Sequence, residues 1–541
     1  MQTAKEFLAT GAKFQLGFLE TEKPHPKTRE LSEWAKNDVP RAIATLAEID
    51  CDALSVVGSR VDEILALRRE IEQTWLNGGR VFLCGCGATG RLSLALECLH
   101  RERVTREGSS SGIDESVDEL VVAFMAGGDV ALVHSIEGFE DFPDYGARHL
   151  RELGFRGGDL LISCTEGGET PYVIGATEEA VRIGARAPYF LYCNPDEILR
   201  EHVERSRRVI ENSKINKINL TVGPMALAGS TRMQASTVLQ LSVGLALLSA
   251  ELPYGRVGAG RESAQADAVN FRAMCADVIG TLKKYLREEA VRFLSGFVER
   301  EAAEYLAGRF VTYGVNTFPI TVFTDTTERA PTFSLTPFDH REAERLLKLK
   351  PSLCYIYVTD AKTSSQAWQK LLGRPPRPLN WPDVDSRTSS RYLEAFDFTE
   401  KGAREFRKWR TNDSEHSDFL IGLAQDSLLR WEFLDLQRGL ILPQDSLVAH
   451  MLLKMLLNIH STLVMGRLGR YKRNLMTWVY PTNGKLIDRA TRYARTLLHE
   501  DGIDVSYDDT VRALFEVKKQ ITGNDSVVLA TYDYLKNGKI G

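Results

Sequence analysis

Short apolar runs alternate with helical spacing of apolar residues between residues 80 and 225. These runs predict buried β-strands, because each is bounded by turn-forming or polar residues. They are Val81–Cys84, Leu120–Met125, Leu160–Cys164, Tyr189–Cys193 and Ile218–Val222. Strands that alternate with helices form βαβ units, so the pattern predicts an α/β domain whose parallel sheet carries helices on both faces.

Helical patterns flank this region on both sides. Residues 1 to about 40 are expected to be irregular, and two helices are expected between residues 40 and 74. Apolar positions three and four apart from Val238 to Leu252 predict a long buried helix that opens at Gly229–Thr231. From about Ser446 the pattern is helical to the end, and its basic residues are typical of a solvated face.

A second α/β region is predicted after residue 258. Strands are expected at Phe310–Tyr313 and Leu353–Val358, and a proline-rich loop covers residues 374–386. Propensity alone also predicts a strand at Ile320–Thr324. The turn after the first of these strands, Gly314–Pro319, lacks close glycine spacing, so this region would have no anion-binding turn.

The first strand runs into a glycine-rich turn and then into a helix. Gly85, Gly87 and Gly90 punctuate this turn. Strand, turn and helix in this order point free backbone N–H groups and a helix N-terminus at an anion, to which Thr89 would add a hydroxyl and Arg91 a charge. The turn is neither a Walker A loop nor a complete dinucleotide fingerprint, and it is also typical of a tight strand-to-helix connection.

Composition excludes several classes of protein. The chain has 541 residues, 43% of them hydrophobic and 26% charged, as in a soluble globular protein. A formal net charge of −5 gives no reason to expect nucleic acid or an acidic membrane as a partner. The eight cysteines form no CxxC pair, so we expect no metal, no disulfide framework and a cytoplasmic location. No cofactor is expected, and no signal peptide or membrane span is recognised.

Several stretches together resemble the sugar isomerase (SIS) domain of the N-acetylmuramic acid 6-phosphate etherases. In chain order they are FLETEKPHPKTRELSEW, CGCGATGRLSLALEC, MAGGDVALVHSIEGFEDF, EGGETPYVIGA with LYCNPD, and VGPMALAGSTRMQAST. The resemblance resumes late in the chain with LNIHSTLVMGRLGRYKRNLM and PTNGKLIDRA. Between these parts, the sequence GVNTFPITVFTDTTERAPTF resembles the glucokinase regulatory protein, which carries two such domains.

The resemblance implies an α/β architecture of two doubly wound parallel-sheet SIS domains with an N-terminal helical arm and a C-terminal helical cap. We place the arm at residues 1–75, the first domain at 76–258, the second at 259–445 and the cap at 446–541. It also implies a helix, in place of the strand that propensity predicts, at Ile320–Thr324.

The resemblance further implies two catalytic carboxylates, Glu97 and Glu140. Opening the lactyl ether at C3 of the sugar needs a base at C2 and an acid for the departing oxygen, so a pair of carboxyl groups suits this elimination. Hydration would then give N-acetylglucosamine 6-phosphate and D-lactate. The regulatory protein lacks the first glutamate and binds sugar phosphate without turnover, so retention of Glu97 favours an enzyme.

A larger set of residues is expected to bind the phosphorylated amino sugar. Most come from the turns of the first domain, while Glu328 and Lys485 would reach the sugar from the second domain and the cap. The set is Gly85, Gly87, Ala88, Thr89, Gly90, Arg91, Thr165, Gly167, Gly168, Thr170, Ser230, Arg232, Glu328 and Lys485.

The second phosphate loop departs from the family pattern. Where the etherases usually have Ser-Gly-Arg-Thr, this chain has Gly167-Gly168-Glu169-Thr170, with Glu166 just before. An unpaired carboxylate 4 Å from a phosphate would cost about 1 to 4 kcal/mol. Three explanations stay open: the carboxylates point away from the ligand, basic residues such as Arg91, Arg232 or Lys485 compensate, or the ligand is not a 6-phosphate.

Two functions of different classes fit these observations. One is a carbon–oxygen lyase of the etherase type, and the other is a sugar-phosphate sensor that regulates a partner such as a sugar kinase. Aldose–ketose isomerisation is a third reading, in which His134 or His460 would open the sugar ring. Because a second domain can supply what a neighbouring subunit would, we expect a monomer whose two SIS domains act as an internal dimer.

Overall fold

The computed structural model describes residues 3–108, 119–136, 138–184, 186–253, 263–338, 340, 351–410, 415–423, 428–479, 481–521 and 525–538. The N-terminal arm contains four α-helices: α1 (Ala4–Thr10), α2 (Leu31–Asn37), α3 (Val39–Gly58) and α4 (Val61–Leu76). The two helices predicted between residues 40 and 74 are confirmed. The prediction of an irregular first segment is wrong at α1 and at α2; a capping box between Thr3 and Glu6 closes the N-terminus of α1.

The first sheet has five parallel strands in the order β2-β1-β3-β4-β5. The strands are β1 (Val81–Gly85), β2 (Val121–Met125), β3 (Leu160–Cys164), β4 (Tyr189–Tyr192) and β5 (Asn216–Asn219). Its helices are α5 (Ala88–Gly108), α6 (Val130–Val133), α7 (Pro143–Glu152), α8 (Pro171–Ile183), α9 (Asp196–His202), α10 (Glu204–Glu211) and α11 (Gln234–Ser249). The predicted strands are confirmed, the last with a shift of two residues at its start. Helix α11 begins three residues after the predicted opening.

The order of the strands fixes where a ligand can bind. From β1 the chain moves to β2 on one side and then returns to β3 on the other side. In such sheets the crevice opens beyond the carboxyl ends of the strands at which this reversal occurs. The turns after β1 and β3 meet there, and both belong to the predicted anion-binding set.

The second sheet has the order β10-β9-β8-β6-β7. Its strands are β6 (Phe310–Val315), β7 (Cys354–Val358), β8 (His416–Leu423), β9 (Leu429–Phe433) and β10 (Leu436–Leu440). Strand β6 is parallel to β7 and β8, but β9 and β10 form an antiparallel hairpin. The sheet is therefore only partly parallel. Strand β9 alternates buried and half-buried residues, as a strand with a single covered face does.

Helices α12 to α18 accompany the second sheet. They are α12 (Ala264–Tyr285), α13 (Glu288–Val291), α14 (Leu294–Leu306), α15 (Pro319–Phe333), α16 (Ser364–Leu372), α17 (Ser390–Glu394) and α18 (Glu400–Arg410). Helix α15 confirms the helix implied at Ile320–Thr324 over the strand favoured by propensity. Its first residue is Pro319, whose fixed φ and missing N–H suit the first helical position.

The C-terminal segment consists of helices: α19 (Ser446–Arg467), α20 (Gly484–Glu500), α21 (Tyr507–Lys518) and α22 (Val527–Asn537). Helix α19 is long and apolar enough to cross a membrane, but 94% of its apolar window is buried inside the protein. It packs against α11 of the first domain and against α14 and α15 of the second. It thereby joins the two halves through an apolar core.

Candidate functional site

A cavity of about 520 Å³ opens at the carboxyl end of the first sheet. Parts of the first domain, the second domain, the N-terminal arm and the C-terminal helices all line it. The contributing residues lie within 19–22, 86–91, 125–136, 138–140, 166–170, 229–231, 328–337, 476–479 and 483–489, together with Arg387. The cavity thus lies where the strand order predicts it, and each part of the chain closes one side.

The glycine turn after β1 forms one wall of the cavity. Gly85 packs so closely against the start of α5 that an added Cβ would lie 2.3 Å from the backbone of Thr89. The hydroxyl of Thr89 is buried: it donates to the carbonyl of Cys86 at 2.8 Å and accepts from the N–H of the same residue at 2.9 Å. Thr89 does not line the cavity, whereas Gly87, Ala88 and Arg91 do. The hydroxyl predicted to bind the anion closes the turn instead.

Glu140 lines the cavity opposite this turn. The thiol of Cys86 donates to its Oε2 at 3.9 Å, and the side-chain amide of Asn483 donates to its Oε1 at 3.4 Å. Asn483 is also the N-cap of α20, where its oxygen accepts from the N–H of Leu486 at 3.0 Å. Glu140 is therefore oriented from both sides without an ion pair among the described residues.

Glu328 enters the cavity from α15 of the second domain. Its Oε2 lies 3.8 Å from Nε of Arg91, and 15% of its side chain is exposed. The guanidinium of Arg91 also donates to the carbonyls of Ala131 and Leu132, at 3.4 and 3.3 Å. Arg91 is thereby fixed in the cavity wall, where it faces the carboxylate of Glu328 from the other domain.

Glu169, in the loop after β3, is neutralised by two cations. Nζ of Lys485 lies 2.7 Å from its Oε1, and Nη2 of Arg205 lies 2.5 Å from its Oε2. Burial alone would raise the pKa of Glu169, but these two cations lower it to about 2. Glu169 therefore carries a compensated charge, and Lys485 is engaged by a carboxylate before any ligand arrives.

Glu166, in the same loop, has no such cation. It is 8% exposed, it lines the cavity, and its Oε1 has no hydrogen-bond partner among the described residues. Burial raises its pKa to about 8, and the nearby carboxylate of Glu328 acts in the same direction. The hydroxyls of Thr165 and Thr170, both expected to bind ligand, lie 2.9 Å apart in one hydrogen bond. Thr165 is fully buried, and only Thr170 reaches the cavity.

Glu97 lies outside the cavity lining, and the structure does not bring it together with Glu140. It is 1% exposed and contacts three arginines: Arg374 at 3.0 Å, Arg377 at 2.8 Å and Arg101 at 3.3 Å. Burial alone would raise the pKa of Glu97, but the arginines hold it below its ordinary value. Because Arg374 and Arg377 belong to the proline-rich loop, Glu97 ties the second domain to the first.

Arg232 also lies away from the main cavity. Its guanidinium lies 3.3 Å from Oδ1 of Asp325 and donates to the hydroxyl of Thr462 at 2.8 Å. Nζ of Lys454 donates to its carbonyl at 2.9 Å. These contacts fix the segment that carries Ser230, which does line the cavity together with Gly167. Arg232 is a structural support for the ligand wall.

The last wall contains residues that the sequence interpretation missed. Glu22 of the arm accepts from Arg489 at 2.6 Å and from Arg492 at 2.9 Å. Burial alone would raise the pKa of Glu22, but the two arginines lower it to about 2. The predicted solvated basic face is thus wrong for this part of α20. The resemblance of residues 18–34 to the etherases was the available signal, because Glu22 lies within that motif.

The two histidines considered for ring opening occupy different places. His460 is fully buried beside Glu301, with its Nε2 3.2 Å from the carboxylate. His134 lines the cavity, where the hydroxyl of Tyr392 lies 2.8 Å from its Nδ1. Burial lowers the pKa of His134 to about 4, so its ring is neutral at neutral pH.

Comparison with known proteins identifies relatives of the first domain. Residues 61–181 match the family model of the glucokinase regulatory protein N-terminal SIS domain. The N-acetylmuramic acid 6-phosphate etherase of Synechococcus sp. (strain CC9902) is 32% identical over 247 residues, which are 45% of this chain and 70% of that protein. The etherase of Geobacillus thermodenitrificans (strain NG80-2) is 27% identical over 295 residues, which are 54% of this chain and 86% of that protein.

A solved structure matches over much of the chain at low similarity. The C-terminal domain of glucosamine-fructose-6-phosphate aminotransferase from Francisella tularensis covers 77% of this chain and 96% of its own, with 8% identity and a TM-score of 0.36. The sequence matches are stronger, and they include the glycine turn, Glu140 and the loop after β3. On these matches, the chain belongs to the family of SIS-domain proteins that comprises the N-acetylmuramic acid 6-phosphate etherases and the glucokinase regulatory protein.

Proposed function

We propose that this protein is a carbon–oxygen lyase that cleaves the lactyl ether of N-acetylmuramic acid 6-phosphate or of a related amino-sugar phosphate. The observation that carries this proposal is the meeting of Glu140 and Glu328 in one cavity above the glycine turn. The relatives named etherases support the same reaction.

The two carboxyl groups suit an elimination because they enter from opposite domains. Glu140 comes from the loop after β2 and Glu328 from α15, so a sugar lying between them would face a carboxyl group on each side. A base must take the C2 proton, and an acid must protonate the oxygen that leaves C3. We assign these roles to Glu140 and Glu328 together, and Arg91 holds Glu328 in place.

The reaction proceeds in two balanced halves. In the first, one carboxylate takes the C2 proton of the open-chain aldehyde, the C3–O bond breaks, and the other carboxyl group gives its proton to the departing lactate oxygen. In the second, water adds at C3 of the resulting double bond and a proton returns to C2. The products are the 6-phosphate of N-acetylglucosamine and D-lactate, with one water consumed.

This assignment replaces Glu97 with Glu328 in the acid–base pair. Glu97 has both oxygens engaged, by the buried Arg374 and by the half-buried Arg377, and it does not border the cavity. Glu328, which the sequence interpretation assigned to binding only, lies in the cavity with one side facing Arg91. The rest of the binding set that reaches the cavity would hold the phosphate and the sugar hydroxyls: Gly87, Ala88, Arg91, Gly167, Thr170, Ser230 and Lys485.

The experiment is an assay for D-lactate release from N-acetylmuramic acid 6-phosphate. The purified protein should release lactate, and Glu140→Gln and Glu328→Gln should each lose most of the rate. Glu211→Gln, an exposed substitution on α10, is the matched control. Absence of lactate from the unmodified protein, with sugar-phosphate binding intact, would favour a sensor that regulates a sugar kinase.

We also propose that one chain suffices for the site. Residues from both SIS domains already line a single cavity, as two subunits of a dimer otherwise would. If light scattering gives the active protein the molar mass of one chain, the proposal is supported. Activity found only in a dimer would contradict it. The cytoplasmic location stays a prediction from cysteine usage.

A further inference from the structure

We infer that Glu166 binds the substrate as an uncharged carboxylic acid, which donates a hydrogen bond to the phosphate group of the sugar. This inference rests on the proposed function, since it concerns the ligand of the same cavity. It assigns a specificity-determining role to a residue that was expected to oppose phosphate binding.

The position of Glu166 gives it access to the cavity while little of its surface is exposed. It directly follows Thr165 at the carboxyl end of β3, and its carbonyl accepts from the N–H of Cys193 at 3.0 Å, which anchors its backbone. The side chain is more than nine-tenths buried yet borders the cavity. Its Oε1 is without a partner among the described residues. A buried polar atom with no partner is costly, and a ligand in the cavity would satisfy it.

The groups that face Glu166 leave its charge uncompensated. From the second domain it meets the carboxylate of Glu328, and from the loop before α11 it meets the hydroxyl of Thr231. From α20 it meets Lys485, but the ammonium group of that residue is engaged by Glu169 at 2.7 Å. A carboxyl group buried beside another carboxylate, with the nearest cation already paired, keeps its proton.

The neutral form resolves the conflict between this loop and a phosphate. Glu169 is paired with both Lys485 and Arg205, so these three side chains together carry one positive charge and do not repel a phosphate. Glu166 adds no charge while it is protonated, and its O–H is then a donor to a phosphate oxygen. Once ionised, the same group becomes an acceptor only and repels the phosphate. In this loop the carboxylic acid O–H of Glu166 therefore donates the hydrogen bond to the phosphate, whereas the etherase pattern has a serine hydroxyl in the same loop.

Binding should consequently depend on pH in one direction. Above about pH 6 a phosphate monoester is a dianion, so its own charge is constant from pH 7 upward. The pKa of Glu166 in the free protein is about 8. If only the protonated form binds, the Kd is nearly constant below that value and rises by up to about tenfold per pH unit above it.

Other groups facing Glu166 do not titrate in this range. Burial raises the pKa of the thiols of Cys86, Cys164 and Cys193, which therefore stay neutral. Burial alone would lower the pKa of Lys485, but Glu169 and Glu140 raise it, so the ammonium group keeps its charge. Burial also lowers the pKa of Lys454, near Glu328, to about 8, so the comparison with Glu166→Gln is what assigns a change in affinity to Glu166.

The test is calorimetric titration with N-acetylglucosamine 6-phosphate from pH 7 to 9.5. The unmodified protein and Glu211→Gln should lose affinity above pH 8. Glu166→Gln keeps an N–H donor at every pH, so its Kd should stay level over the range. Glu166→Ala removes the donor and should bind more weakly at pH 7, again without pH dependence.

Two outcomes would overturn the inference. One is the same pH dependence in Glu166→Gln as in the unmodified protein, and the other is no binding of the sugar phosphate by any variant. Failure of the proposed function is separate, because it would appear as absent lactate release while the pH-dependent binding persists. Far-ultraviolet circular dichroism of each variant establishes that the fold is retained.

Discussion

Nε of Arg91 lies 3.8 Å from Oε2 of Glu328, and the two residues belong to different domains. Arg91 is in α5, which follows the first strand of the first sheet, and Glu328 is in α15, which follows the first strand of the second sheet. The contact brings a carboxylate of one half to the anion-binding turn of the other. The cavity is therefore complete only when both domains are in place.

Substitution of Glu328 tests the shared cavity directly. Glu328→Gln keeps the size of the side chain but removes its ability to exchange a proton. We expect kcat for lactate release to fall by about 10²- to 10⁴-fold, the usual contribution of a positioned acid or base, with a smaller change in KM. Steady-state kinetics at saturating substrate measure both. A change confined to KM would make Glu328 a binding residue only.

Substitution of Glu97 should have the opposite profile. Glu97→Gln leaves Arg101, Arg374 and Arg377 partly uncompensated in a buried cluster. Removing one partner from a buried ion pair costs about 3–5 kcal/mol, so the free energy of unfolding should fall measurably in urea. At a temperature at which the variant stays folded, kcat should keep its order of magnitude. If Glu97→Gln instead loses kcat and keeps its free energy of unfolding, Glu97 is a catalytic residue.

Lys485 and Glu169 should be energetically coupled. Lys485→Met removes one positive charge beside the cavity and leaves Glu169 paired with Arg205 alone, so KM for the sugar phosphate should rise. Adding Glu169→Gln to that variant removes one negative charge and should recover part of the affinity. A coupling energy of about 0.5–3 kcal/mol is expected for side chains in contact. Strictly additive effects of the two substitutions would contradict this account.

Acid should destabilise the contact between the arm and the C-terminal helices. The pKa of Glu22 is about 2 in the folded protein against an ordinary value of 4.5. A carboxyl group with a depressed folded pKa adds stability above its unfolded pKa, and this stability is lost as pH falls from about 4.5 toward 2. The melting temperature should therefore drop over that interval.

The matched comparison uses Glu22→Gln and Glu201→Gln. Glu22→Gln should melt at a lower temperature at pH 7 but lose less stability on acidification. Glu201 lies on the exposed surface of α9, so Glu201→Gln should show the same melting temperatures as the unmodified protein. If the melting temperatures of the unmodified protein, Glu22→Gln and Glu201→Gln fall equally on acidification, protonation of Glu22 does not cause the loss of stability.

Much of the fold follows from local patterns. Four strands of the first sheet were predictable because each is a short apolar run buried on both faces, such as Leu160–Cys164, whereas β5 is polar and only its Ile218 is buried. The hairpin of β9 and β10 was not predictable, since its alternating residues form no continuous apolar run. Helix α15 required the resemblance, because its β-branched residues favour a strand and tertiary packing, most extensively against α19, outweighs that preference.

The location of the candidate site could be predicted from the sequence, but the side chains that line it could not all be predicted. The glycine turn and Glu140 were found from local motifs that face the cavity. The outcome for Glu97 depended on Arg374, which is distant in sequence and reaches it only through tertiary packing. Thr89 was misassigned because a hydroxyl near a turn can equally close the turn itself. Neighbouring residues in the sequence do not show whether Glu97 faces a cavity or an arginine, or whether Thr89 binds a ligand or closes its own turn.

The second sheet has a consequence for how this protein can evolve. Its turn at Gly314–Pro319 lacks the glycine spacing of the first turn, and two of its four strand pairings, β8 with β9 and β9 with β10, are antiparallel. In a homodimer every mutation appears in both subunits, so neither copy can specialise alone. Here each half carries its own sequence, so the two sides of the cavity can change independently, and the second half can diverge while it still contributes Glu328 and its neighbours to the lining.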